Sequence, residues 1–283
     1  MGCRCQTLFN PFTMAKISPP EASVVCHFPN LSVLTQAAYP APKPHAGPRW
    51  AQGRRHPCSN RMIISPGRKF IFVHIPKTGG TALTLALETR AMKDDILMGD
   101  TPKARARKGR LRGITSQGRL WKHSTLTDIA GFASDADIAS FFTVTLVRNP
   151  WDRAVSYYHW LRMQGFAHPA VGLAKTHDFS GFLNHPQTIT ALRLWPYTAY
   201  MRNRFGVERA SLYARLEYLD NDLDPFQLHL GFRITPLPRA NTSVRTRDWR
   251  GFYTDADAAL LADISADDIA RFGYLFDDAA GVP

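Results

Sequence analysis

Two strand-to-helix junctions constrain this chain more than anything else in it. The first opens with Lys69-Phe-Ile-Phe-Val-His74, an apolar run of strand length. It passes through Ile75-Pro-Lys-Thr-Gly-Gly80 into the Leu/Ala-rich stretch 81–90. The second is Phe141-Phe-Thr-Val-Thr-Leu-Val147, running into Arg148-Asn-Pro-Trp-Asp-Arg-Ala-Val-Ser-Tyr-Tyr-His-Trp-Leu-Arg162. Unbroken apolar runs of this length read as strands buried on both faces, the kind found in parallel sheets covered by helices. The expected class is therefore α/β. A chain of 283 residues that is 45% apolar, with 17 Phe, 9 Tyr and 6 Trp, can build one sizeable core of that type. No window reaches the roughly 18 uninterrupted apolar residues of a membrane-spanning helix.

A break near residue 61 divides the chain. All four cysteines (Cys3, Cys5, Cys26, Cys58) and 9 of the 20 prolines precede it, in a segment with neither a helical nor a strand period. Residues 1–61 are expected to be a disordered extension, and 62–283 the functional domain. The opening Met1-Gly-Cys-Arg-Cys-Gln6 lacks the apolar run of a secretory signal, and Gln6 stands where a myristoylation motif has Ser or Thr. With no cysteine after residue 61, a reducing, cytoplasmic setting is expected. The formal charge of +12 points to an anionic partner without saying which. Half of that surplus belongs to the extension, where seven Lys/Arg face Glu21 alone.

At the first junction, Gly79 and Gly80 allow positive φ and close approach of backbone to a ligand, and Thr81 is placed to cap the helix. The N–H groups of a helix's first turn favour a phosphate-like anion, and Lys77 adds a mobile cation. Taken singly, Gly-Gly is an ordinary turn and Lys77 an ordinary surface lysine; the strand, loop and helix in sequence are what carry the reading. The loop is not a Walker A motif, because GxxxxGK[ST] occurs nowhere in the chain.

At the second junction Asn149 is a good N-cap, Pro150 suits the first helical position, and Asp152 can close a capping box or complement the dipole. Arg148 then stands at the carboxyl end of a buried strand, where open α/β sheets bind ligands, with Ser156 two turns along the helix. An arginine fork and a serine hydroxyl can share one phosphate. The plain alternative is that Arg148 pairs with an acid and Ser156 is helix surface. Arg153 reads as holding the sheet or a neighbouring acid.

Together the segments His74-Ile-Pro-Lys-Thr-Gly-Gly-Thr81 and Arg148-Asn-Pro-Trp-Asp-Arg-Ala-Val-Ser-Tyr157 resemble HIPKTGGT and RNPxxRxxSxY of the sulfotransferases. The likeness is to the Golgi-type and bacterial carbohydrate branch, the family 2-like enzymes. It extends more weakly through Arg215-Leu-Glu-Tyr-Leu219, Asn241-Thr-Ser243 and Asp268-Ile-Ala-Arg-Phe-Gly-Tyr274, covering about residues 69–276. The resemblance implies a P-loop-like three-layer fold with a mostly parallel central sheet and 3′-phosphoadenosine-5′-phosphosulfate as co-substrate. Lys77, Thr78, Gly79, Gly80, Thr81 and Ala82 would line the sulfate end. Arg148 and Ser156 would hold the 3′-phosphate, with Arg245 as a further ligand from a closing loop. The acceptor would be a hydroxyl on a carbohydrate or similar compound, anionic ones included. No nucleic-acid partner is expected, and no metal, since the folded part offers no HExxH or paired Cys/His spacing.

A sugar hydroxyl is a poor nucleophile near neutral pH, so a general base is needed. The Lys-His pair in Trp121-Lys-His-Ser-Thr-Leu-Thr-Asp-Ile129 precedes a short helix in related bacterial enzymes, which makes His123 the candidate and Lys77 its catalytic partner. His123 could equally be a capping or surface histidine. His74 is the rival but reads as anchoring the strand end, while Glu88 and Glu217 could orient other groups. His159, His168, His177, His185 and His229 read as structural. The basic run 103–112 reads as a solvated loop that could alternatively guide an acidic glycan. Segments 91–122 and 163–205 are expected to form acceptor-binding loops. An atypical nucleotide-dependent kinase and a non-catalytic polyanion-binding module are the competing readings.

Overall fold

The computed structural model describes residues 62–99, 101–111, 113, 115–238, 246 and 248–278. The extension 1–61 and the segment 239–245 lie outside them. Five strands form one sheet: β1 (Met62–Ser65), β2 (Phe70–Val73), β3 (Ile96–Met98), β4 (Phe142–Val147) and β5 (Leu212–Arg215), in the order β3-β1-β2-β4-β5. β2 pairs parallel with β4, and β4 with β5, whereas β1 is antiparallel to both β2 and β3. The sheet is thus mixed. Its parallel half carries both junctions, and the antiparallel edge begins with β1, which the turn at 66–69 reverses onto β2.

Strand alternation sorts the side chains into two cores, one on each face. Met62, Ile64, Ile71, Val73 and Val147 face one cluster, and Ile63, Phe70, Phe72, Val144 and Leu146 face the other. The helix after β2, α1 (Gly80–Thr89), covers the second face through Leu83 and Leu87. Short helices α2 (Pro102–Arg107) and α3 (Asp135–Ser140) lead to β4. The long α4 (Pro150–Arg162) covers the first face through Trp151, Ala154, Val155, Tyr158 and Leu161. Then come α5 (Pro169–Thr176), α6 (Phe179–Leu183), α7 (Pro186–Leu194) and α8 (Tyr197–Tyr200). After β5, α9 (Leu219–Asp222) and α10 (Asp224–Leu230) return to the second face, and α11 (Asp255–Ile264) and α12 (Ala266–Phe272) finish on the first. The result is the expected three-layer α/β arrangement. No helix among the described residues is long and apolar enough to cross a membrane.

Helix α10 ends at Gly231, which takes a left-handed φ of 74°. Two local expectations change. Segment 163–205 is largely helical. The basic run, read as a solvated loop, is α2 followed by a 3₁₀ turn at Lys108–Leu111. Thr101 caps α2 by accepting the Ala104 N–H at 2.9 Å, and Pro102 sits at the first helical position. Three of its cations are engaged by backbone: Lys103 donates to Glu88 O, Arg107 to Met92 O and Asp95 O, and Arg110 to Lys93 O. A count of charges does not register carbonyl acceptors that a neighbouring helix end and loop present in space.

The second-face core hinges on Phe226, fully buried, edge-on to Phe70 at 5.3 Å and stacked on Phe142 at 5.5 Å. Phe226→Ala is expected to lower unfolding free energy by about 3–5 kcal/mol, read from urea denaturation of the full chain.

Candidate active site

The parallel pairings bring the carboxyl ends of β2, β4 and β5 to one edge, so the two motif loops and Glu217 meet there. Backbone geometry explains the first loop. Gly79 precedes α1 in a left-handed conformation, φ 82°, and a Cβ on it would lie 2.5 Å from Leu216 Cδ1. Gly80 is needed for a different reason from the one expected. It does not take a positive φ, but a Cβ there would stand 1.9 Å from Cδ2 of the buried His74 ring. Thr78 is buried and its hydroxyl donates to Ile75 O at 2.9 Å, bracing the loop. Thr81 is not the cap: the helix starts at Gly80 without a side-chain cap, and Thr81 is buried inside the first turn. The Ala82 N–H closes that turn on Gly79 O at 3.0 Å, and the N–H groups at such a helix start are the ones a helix offers to an anion. Lys77 itself has φ 69°, a left-handed conformation costly for a residue with a Cβ, and its ammonium lies 5.7 Å from the centre of the Trp160 ring.

The second junction forms as its sequence dictates. Asn149 caps α4 by accepting the Trp151 N–H, and Pro150 is the first helical residue. Asp152 lies in the first turn, as dipole complementarity asks, and takes the Arg148 fork, with Nε 2.7 Å from Oδ2. The arginine is thus paired with an acid and also turned to the first loop, since its Nη1 reaches Lys77 O at 3.3 Å. Ser156 is buried rather than helix surface, one turn beyond Asp152 and on the same side of α4. Arg245 lies outside the described residues.

Two of the weaker stretches of resemblance, 215–219 and 268–274, close around this junction, while 241–243 lies outside the described residues. Glu217 accepts the Asn149 N–H at 2.7 Å and the Tyr274 hydroxyl at 3.2 Å, and burial raises its pKa. Tyr197, fully buried, donates its hydroxyl to Arg148 O, and its N–H goes to the Asp268 carboxylate at 3.1 Å. Burial pushes Asp268 up to about 6. Glu88, by contrast, accepts from Thr101 at the far end of α1.

His123 sits beside the first loop. Its Nδ1 is 2.9 Å from His74 O, so that nitrogen carries the proton and Nε2 keeps the lone pair. Its ring stacks tilted against His74 at 4.8 Å and edge-on to Trp121 at 5.1 Å. The segment after it, braced by Thr125 and Asp128, is a turn rather than the short helix expected. Burial pushes the His123 pKa down to about 4, helped by the charges of Lys122, Arg153 and Lys77 and opposed by the bond to His74 O. His74 thus acts through its carbonyl and its ring. The other histidines considered do structural work: His168 and His185 cap α5 and α7, His177 bonds Leu173 O, and His229 bonds Arg68 O.

A cavity of about 500 Å3 opens from Pro76 and Lys77. Tyr157, Phe182, Leu192, Trp195 and Tyr200 give it aromatic and aliphatic walls, Gln187 and Thr188 add polar groups, and Asp263 and Asp267 lie at the α11–α12 side. Its lining draws on 163–205 and on none of 91–122. Arg153 lines it too, besides facing the charge of a neighbouring acid, Asp268. A motif spacing identifies a residue but not which way a helix turns it.

Residues 60–188 match the family model described as the sulfotransferase family. The chain is similar to the crystal structure of mouse sulfotransferase SULT7A1 complexed with PAP, at 16% identity and a TM-score of 0.41, over 71% of this chain and 82% of that one. No curated protein matches the sequence.

Two predictions follow from the geometry. Gly80→Ala forces a methyl into the His74 ring and is expected to destabilise by about 1–3 kcal/mol, measured by thermal and urea denaturation. For His123 the folded pKa of about 4 lies below the free value of 6.5, so the unfolded chain binds more protons between them. The stability this histidine contributes is present above pH 6.5 and is lost as pH falls toward 4. Against His123→Gln, the wild type should lose about 2–3 kcal/mol more between pH 7 and 4.5; an unchanged difference would contradict a half-buried ring kept neutral.

Proposed function

We propose that this chain transfers a sulfuryl group from 3′-phosphoadenosine-5′-phosphosulfate to a hydroxyl of a carbohydrate, with His123 as general base, a reading supported by the match of residues 60–188 to the sulfotransferase family model. The observation that carries the reading is the meeting of the two motif loops, with Arg148 bonded to the backbone of Lys77. The donor set suits a nucleotide with anionic groups at two places. One end has loop amides at a helix N-terminus and the Lys77 ammonium; the other has the Arg148 guanidinium and the Ser156 hydroxyl. Lys77 to Ala82 would hold the 5′-phosphosulfate, and Arg148, Ser156 and Arg245 the 3′-phosphate. The bound nucleotide supplies the sulfuryl group and a phosphate leaving group.

The chain's own residues then have separable tasks. His123 Nε2 takes the proton of the acceptor hydroxyl as its oxygen bonds to sulfur, and Lys77 carries positive charge to the departing phosphate oxygen. The depressed His123 pKa keeps the base neutral at pH 7. An anion settling among Lys77, Lys122 and Arg153 offsets the charges that help to depress it, so the base strengthens when the donor is in place. The cavity beside Lys77 suits an acceptor of one or two sugar rings. Its volume lies in the range of about 300–1,000 Å3 common for small-molecule sites, with flat aromatic faces at Trp195 and Tyr200. The polyanion-binding alternative loses its main support, because Lys103, Arg107 and Arg110 are bonded to carbonyl oxygens.

Calorimetric titration of the full chain with 3′-phosphoadenosine-5′-phosphate, adenosine 5′-phosphate and ATP tests the donor. The 3′-phosphate is expected to improve affinity by about 10- to 100-fold, and Arg148→Ala to abolish that gain. Equal affinities would overturn the donor assignment, and a preference for ATP would favour a kinase. Lys77→Ala is expected to lower kcat by about 10²–10³-fold and His123→Ala by about 10²–10⁴-fold, assayed by mass spectrometry of sulfated saccharides. Transfer to simple phenols but to no saccharide would overturn the acceptor class.

A further inference from the structure

Lys77 is held in an unfavourable backbone conformation by two arginines from the other motif. Its φ of 69° costs about 1–2 kcal/mol for a residue with a Cβ, and such a conformation persists only where its surroundings over-determine it. The carbonyls on either side of the Lys77 α-carbon are both occupied by guanidinium donors. Arg153 Nε donates to Pro76 O at 3.1 Å, and Arg148 Nη1 to Lys77 O at 3.3 Å. Arg153 is itself fixed, with its guanidinium carbon 4.7 Å from the centre of the Tyr197 ring, and Asp268 supplies the opposing charge. Two turns farther along the same helix, Trp160 presents its ring to the Lys77 ammonium. Arg153 also lines the cavity that begins at Pro76 and Lys77.

We propose that Arg153 is a positioning residue for the reaction: with Arg148 it clamps the peptide groups flanking Lys77, and so aims the lysine between the anion-binding loop and the cavity. The reaction it serves rests on the sulfuryl-transfer reading; the clamp itself does not. Arg148 is tied to the nucleotide end and Arg153 to the cavity end, so the loop is held from both of the places where ligands would enter. The charge of Arg153 has a second consequence, since it contributes to keeping the His123 ring neutral.

The clamp is tested in the free protein by hydrogen exchange on peptides spanning 75–82. Because Arg153→Met alone strands the partly neutralised Asp268, the comparison is the double variant Arg153→Met/Asp268→Asn against Asp268→Asn. Exchange at Lys77, Thr78 and Gly79 is expected to quicken at least about tenfold in the double variant, while peptides from β1 and α10 stay unchanged. Unchanged exchange in the loop overturns the proposal, and so does uniform acceleration throughout the chain. This readout needs no nucleotide, so it separates failure of the clamp from failure of the donor assignment.

The kinetic arm uses the saccharide assay. Here kcat is expected to fall about 10- to 100-fold in the double variant with less than about a threefold change in KM for the nucleotide, and Arg153→Lys to recover part of the loss. With the positive charge removed, the acid limb of the pH profile moves to higher pH. A loss confined to KM, or full activity in the double variant, would overturn the positioning role.

Discussion

Val73 and Thr145 face each other across the parallel β2–β4 pair, with the Thr145 hydroxyl on the Val73 carbonyl at 2.8 Å; β2 ends there, and β4 continues to Val147 against β5. This register decides the geometry of the site. It sets His74 and the Lys77 loop beside Arg148, and the equivalent pairing of Val147 with Arg215 brings Glu217 to the same edge. A slip of one residue would turn Ile71 and Val73 into the opposite core and separate the loops. The site therefore inherits its precision from the burial of both sheet faces rather than from contacts within itself.

Charge is arranged so that each buried carboxylate near the site has a structural partner while the cations converge. Asp152 takes the Arg148 fork, Glu217 takes the Asn149 N–H, and Asp268 takes the Tyr197 N–H. Lys77, Arg153 and Lys122 all act on His123, and burial of that ring makes the charged form costly. Such an environment favours an anion and a neutral imidazole together, the combination that base-assisted transfer from an anionic donor needs. The bond from His123 to the His74 carbonyl determines which ring nitrogen is basic. The Gly80 contact with the His74 ring couples that choice to the first turn of α1.

Much of this was legible in the sequence because it is encoded locally. Continuous apolar runs identified β2 and β4, and Asn149-Pro150 identified the start of α4 through capping chemistry. The roles of Arg153, Tyr197 and Asp268 were not legible. They depend on contacts 44 to 115 positions apart along the chain, and no local pattern announces them. The basic run was misread for a related reason. Lys103, Arg107 and Arg110 are satisfied by backbone carbonyls, which every residue possesses and no composition reveals. Gly80 was identified as necessary, but its neighbour proved to be an imidazole ring rather than a positive φ.

Helix α4 shows how one element can serve both ends of such a site. Asn149 and Pro150 fix its first turn, so the 100° step between residues determines what each position faces. Asp152 and Ser156, four apart, lie on the side nearest Arg148. Arg153, Tyr157 and Trp160, at spacings of four and three, form the adjacent stripe, meeting the Pro76 carbonyl, the cavity and the Lys77 ammonium in turn. The two stripes differ by one residue step, so a change in where the helix begins would rotate both functions away together. That makes the capping residues part of the site's geometry, although neither faces the cavity through a charged or nucleophilic group.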